Sequence, residues 1–177
     1  MTTLLNTIIN FFNHPFFIIV GGFTTILMIV GFLYTAYLVM KGVFPVWYRL
    51  GIGLSKRKIA IFASTEFESL KSMLVDSKLF EGKNVIQINK NDLKKAEKET
   101  IFLVHWKDNQ EKIDDILVLK KDSTALIVYA PTSEGRIEPP EKMDKINLHR
   151  NAVVVNLRGR LLNDILTALI TTSDDRI

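Results

Sequence analysis

The chain has 177 residues, 47% hydrophobic and 24% charged, and contains no cysteine. A disulfide scaffold, a zinc ribbon and a thiol enzyme are excluded on that ground, and so apolar a chain with little Pro and Gly is not disordered. The first forty residues carry no Asp, Glu, Lys or Arg, which leaves about 120 residues for one water-soluble domain with a small core.

Residues 1–14 place Leu4, Leu5, Ile8, Ile9 and Phe12 at helical spacing, with Asn6, Thr7, Asn10 and Asn13 opposite. This predicts a short amphipathic helix without charge. His14-Pro15 separates it from the next segment. Residues 16–40 (FFIIVGGFTTILMIVGFLYTAYLVM) form an uncharged run. A helix of about 20 apolar residues crosses a bilayer core, so residues 15–41 are expected to be a transmembrane helix. A cleaved signal peptide would need a basic start and a shorter apolar stretch, and no Lys or Arg precedes residue 16.

Within this helix Thr24, Gly31 and Thr35 share a face, Gly21 and Thr25 form a small-xxx-small pair, and Met28 lies between. Such a face is either ordinary membrane-helix composition or an oligomer seam, where small residues allow close approach and hydroxyls bond across the contact. If several copies surrounded a centre, these residues would line a pore.

Residues 41–60 carry five basic and no acidic residues (Lys41, Arg49, Lys56, Arg57 and Lys58), whereas 61–177 carry 18 basic and 19 acidic ones. The net charge of +4 thus arises beside the span, which matches anionic lipid headgroups. By the positive-inside rule the C-terminal part lies in the cytosol, with the N-terminus outside and the protein in the inner membrane. Phe44, Trp47 and Tyr48 fit an interfacial belt. Pro45 is expected to end or kink the helix, making residues 42–57 a basic interfacial linker.

Residues 58–177 alternate apolar runs with amphipathic stretches. Strands are predicted at 58–63 (KIAIFA), 85–88, 101–105 (IFLVH), 125–129 (ALIVY) and 152–155 (AVVV). Helices are predicted at 66–80, 92–99, 111–119, near 141–148, and at 159–171. Near-continuous apolar strands alternating with helices imply a five-stranded parallel sheet covered on both faces. The expected fold is an α/β, three-layer, Rossmann- or flavodoxin-like domain with strand order 2-1-3-4-5.

Ligands of such sheets bind beyond the carboxyl ends of the strands. Ser64 and Thr65 follow the first strand, and Trp106 and Lys107 the third. Thr132, Ser133, Glu134 and Arg136 follow the fourth, and Arg158 and Arg160 the fifth. Hydroxyls, amides near Gly135 and Gly159, and three arginines make an anion-binding rim, to which Trp106 could add a stacking face. Each residue has an alternative role. Thr65 with Glu68 reads equally as a capping box, Thr132 and Ser133 as a turn, Trp106 as core, and Arg158 or Arg160 as a partner of Asp164 or of another subunit.

Catalytic motifs are missing: there is no GxGxxG, P-loop, GxSxG or HExxH. His14, His105 and His149 are scattered, so no metal cluster is expected. A phosphoacceptor domain would need acids where Ser64 and His105-Trp106 stand. A TIR-type hydrolase would use a glutamate near Glu111, without a supporting motif. The chain is expected to be no enzyme and to need no cofactor.

The uncharged helix, single span, basic collar and small Rossmann-like domain together resemble the membrane effectors of prokaryotic antiviral defence. In size and layout the chain is similar to the Hailong channel effector. That resemblance implies a tetrameric ion channel held closed by short single-stranded DNA from a partner nucleotidyltransferase, with TSEGR and NLRGR touching the ligand. The expected function is an oligomeric membrane effector gated by an anionic nucleotide or oligonucleotide. A membrane-tethered scaffold or adaptor, or a membrane-bound nucleotide or NAD hydrolase, are the alternatives.

Overall fold

Two helices open the chain in a computed structural model that describes residues 2–172. The first, α1 (Thr2–Phe12), is followed at once by α2 (Pro15–Lys56). The break is local chemistry: Pro15 has no N–H to offer α1 and suits the first position of α2, while Nδ1 of His14 accepts from the amide of Phe16 at 3.3 Å. Phe17 packs against Phe11, Phe12 and Phe16, with ring centroids 4.9 to 5.5 Å apart. Of the apolar side expected on α1, Leu4 and Ile8 lie outside the described side chains. The helix α2 is long and apolar enough to cross a membrane, with none of its most apolar stretch buried. Along it the hydroxyls of Thr24 and Thr25 donate to the carbonyl of Gly21, and that of Thr35 to Gly31. Each proton is thus satisfied one turn back, leaving oxygen lone pairs on the surface.

Pro45 does not stop the helix, because its fixed φ is helical and only one backbone bond is forfeited. The segment expected as an interfacial linker, residues 42–57, is therefore helical as far as Lys56 and continuous with the rest of α2. The chain divides into Met1–Val46 and Trp47–Ile177, so the last turns of α2 belong to the second unit. There Leu50 and Leu54 pack on the core, and Gly53 is the residue that allows it: a Cβ at that position would lie 2.9 Å from Cδ2 of Leu169. Arg57, assigned by sequence to the lipid-facing collar, is only 3% exposed and points into the domain.

The second unit is α/β. Five strands, β1 (Ile59–Phe62), β2 (Val85–Gln87), β3 (Ile101–His105), β4 (Ala125–Tyr129) and β5 (Ala152–Val155), form one parallel sheet in the order β2-β1-β3-β4-β5, as expected. Register runs Ile61 to Leu103 to Ile127 to Val153. The helices are α3 (Phe67–Asp76), α4 (Trp106–Asn109), α5 (Ile113–Leu119), α6 (Pro140–Leu148) and α7 (Arg158–Thr171). Residues 92–99, predicted as a helix, hold a 3-10 helix, Leu93–Lys98.

Alternation along the strands divides the core in two. Ile59, Ile61, Ile101, Leu103 and Ile127 pack with Leu70 and Leu74 of α3 and with Leu161, Ile165 and Leu169 of α7. Ala60, Phe62, Phe102, Val104, Leu126 and Val128 pack with Ile113 and Ile116 of α5 and Ile146 of α6. Each large side chain among these, fully buried, contributes about 1.5–3 kcal/mol.

Candidate functional site

The strand order places a topological switch between β1 and β3, whose following connections leave toward opposite sides. Here the chain supplies its own anion. Oδ2 of Asp108, in α4, accepts from the amides of Ser64 at 2.7 Å and Thr65 at 3.1 Å, and the Thr65 hydroxyl donates to the same carboxylate. Asn109 fixes α4 beneath it, donating to the carbonyls of Phe62 at 2.6 Å and His105 at 3.0 Å. Thr65 is therefore not a helix cap: Glu66 occupies the N-cap position of α3 and makes no side-chain cap bond.

His105 closes this arrangement. Its ring is fully buried, with Nδ1 3.1 Å from Oδ2 of Asp108 and Nε2 2.9 Å from Oε2 of Glu134. Both approaches lie off the N–H directions, leaving the ring nitrogens and Glu134 Oε2 without aligned hydrogen bonds. The attraction is that of facing groups rather than of formed bonds, and only a doubly protonated ring could donate to both carboxylates. For Asp108, burial pulls the carboxyl upward. The Ser64 amide, the His105 ring, and the amide and hydroxyl of Thr65 outweigh it and hold Asp108 below its ordinary value.

An open cleft lies farther along the sheet, past β4 and β5. It has a volume of about 720 Å³ and is lined by Ala130, Thr132, Gly135 and Arg136 from the β4 side, Val154 and Asn156 from β5, and Ile137 and Met143 beyond. Gly135, among the lining residues, has φ of 95°, a conformation that side chains rarely adopt. Arg136 is exposed and, among the described residues, has no ion-pair partner. A planar guanidinium beside a hydroxyl and an amide side chain is suited to a phosphate or carboxylate.

The single rim expected from the sequence is thus divided. Thr132 and Arg136 line the cleft, and Ser133 is exposed on the same turn without lining it. The amides of Ser64 and Thr65 are taken by Asp108. Trp106 is 3% exposed and belongs to the core, with Lys142 over its ring, so it offers no stacking face. Lys107 is exposed on α4, outside the cleft lining. Arg158 is held by α3, donating to the Ser69 carbonyl at 2.8 Å with Glu66 at 3.5 Å, and not by Asp164. Arg160 lines a separate depression of about 210 Å³ beside β5 with Asp164. Glu111 sits on the exposed turn between α4 and α5. Sequence reasoning missed Asp108 and Asn109, although an acid and an amide one turn after a strand are a usable signal. Among the described residues no cluster of three His, Cys, Asp or Glu side chains is arranged to hold a metal ion.

No protein-family model, curated protein or solved structure matches the chain.

Proposed function

We propose that the chain is a single-pass inner-membrane effector, gated from the cytosol by an anionic nucleotide or short oligonucleotide bound in the cleft at Thr132 and Arg136. One observation carries this reading: a helix fit to cross a bilayer and a domain with an arginine-lined cleft are parts of the same chain. The strand order with helices on both faces supports a three-layer, doubly wound domain of flavodoxin type, in which ligands bind at the carboxyl ends of strands. The charge beside the span supports a cytosolic domain.

Action on the membrane requires several copies, since one helix cannot enclose a path. Homo-oligomerisation, tetrameric by the resemblance, brings the faces of Thr24, Thr25, Met28, Gly31 and Thr35 together. Ligand then shifts the open and closed populations only by binding them unequally. Antiviral defence, conduction of ions and a nucleotidyltransferase that makes the ligand belong to this proposal through the resemblance alone. A tethered adaptor is the second reading, favoured by the Asp108 carboxylate that already occupies the switch-point amides.

The test uses the full chain in detergent and a short fluorescein-labelled oligodeoxythymidylate followed by anisotropy. Arg136→Ala is expected to weaken binding about tenfold or more, the worth of one charged hydrogen-bonded contact, and to reduce the salt slope by about one. Arg158→Ala, whose guanidinium is committed to α3, is expected to change binding little. Equal binding by wild type and Arg136→Ala removes the cleft from the account. If expression in cells leaves a membrane-potential dye unchanged, the adaptor reading prevails.

A further inference from the structure

We infer that the groove between α5 and α6 is a self-association face, on which a second copy of this chain docks. Val118 is 88% exposed and Leu148 85%, more than any other large apolar residue among the described ones, those of α2 included. The fold does not require this. On α5 the core is met by Ile113, Ile116 and Leu117, and on α6 by Ile146, so a polar residue at position 118 or 148 would leave the packing intact. Two large apolar side chains exposed at one groove, with no packing role in their own fold, are suited to a contact surface. The two flank a groove of about 410 Å³ lined also by Asp114, Leu117, Lys145 and His149.

The occupant follows from the charge. Asp114 and Lys145 form a 2.7 Å ion pair at the groove, so one small patch carries both signs. A nucleic acid or an anionic lipid surface would meet as much repulsion there as attraction. A second copy related by a two-fold axis meets the opposite order: Lys145 faces Asp114, Asp114 faces Lys145, and the leucine of each copy faces the groove of the other. Because the contact is isologous, it yields pairs, and a larger ring would need a further contact elsewhere. The inference rests on the oligomeric reading above and names the surface it uses.

The natural chain has no cysteine, so L148C introduces its only thiol. Treated with a flexible thiol-reactive bismaleimide in detergent, full-length L148C should run as a cross-linked dimer, whereas E97C, an exposed control position, should stay single. In parallel, V118E/L148E should lower the mass of the assembly by light scattering; both side chains are solvent-exposed, so the fold is spared. If the wild type is oligomeric but L148C does not cross-link and V118E/L148E keeps the wild-type mass, the face is wrong and the oligomer stands. If the wild type itself is a monomer, both this inference and the oligomeric function fall.

Discussion

Arg57→Leu is expected to lower the unfolding free energy of the α/β unit by about 2–3 kcal/mol, the scale for leaving buried polar groups without their charged donor. The guanidinium donates in the interior from Nε to the Thr100 hydroxyl at 2.7 Å, from Nη1 to the carbonyls of Leu169 at 3.2 Å and Thr172 at 3.0 Å, and from Nη2 to the Thr172 hydroxyl at 2.7 Å. It fastens the end of α2 to the entry of β3 and the end of α7. Leucine fills much of the space and bonds none of these groups, leaving buried oxygens without donors. Arg57→Lys is expected to recover little, because one ammonium cannot reach Thr100 and Thr172 together. Urea unfolding of the full chain in detergent, followed by tryptophan fluorescence, checks this: the midpoint falls with an unchanged slope. A midpoint within error of wild type for Arg57→Leu contradicts the assignment of Arg57 to the interior.

Asp108→Asn is expected to cost about 2–3 kcal/mol near neutral pH, the scale of hydrogen bonds to a charged group. The asparagine retains one acceptor oxygen, but its amide nitrogen must face either the Ser64 and Thr65 donors or the His105 ring. The cost carries a pH signature. Asp108 is held below its ordinary value of 3.8 in the fold, so the unfolded chain takes up its proton first as the pH falls. The stabilisation is complete above the unfolded value, about pH 4, and drains away as the pH drops through the folded value. Stabilities of wild type and Asp108→Asn, measured by urea unfolding across the acid range, should therefore differ most near neutrality and converge in acid. A constant gap down to the lowest pH would mean that the carboxylate's charge contributes nothing.

The fold was legible where burial follows from local pattern. IAIF, IFLVH and ALIVY are apolar in succession, and the structure buries every residue of these strands. AVVV reads the same way yet forms an edge, with Val153 39% exposed, because strand neighbours are not written in the strand itself. The site was less legible for a similar reason. Arg57 looks like a collar residue by its neighbours in sequence, but Thr100, Leu169 and Thr172, to which it donates, lie 43, 112 and 115 residues away. Trp106 and Lys107 are adjacent, but α4 turns one into the core and the other to solvent. Ser64 and Thr65 follow a strand in the sequence and in the structure, but the acceptor of their amides, Asp108, comes from a stretch where a helix was expected only from residue 111. Thr132 and Arg136 share the cleft with Gly135, whose φ of 95° bends the segment between them, and no local pattern shows that this segment and β5 border one space.

On the proposed function, α2 crosses the inner membrane and holds the α/β unit on the cytosolic side. Protease added to intact spheroplasts tests it most directly, with the α/β unit followed by antibody. This unit is expected to survive with the membrane fraction and to be digested once the spheroplasts are opened. Digestion from the outside of sealed spheroplasts, or recovery of the chain in the soluble fraction, would contradict it.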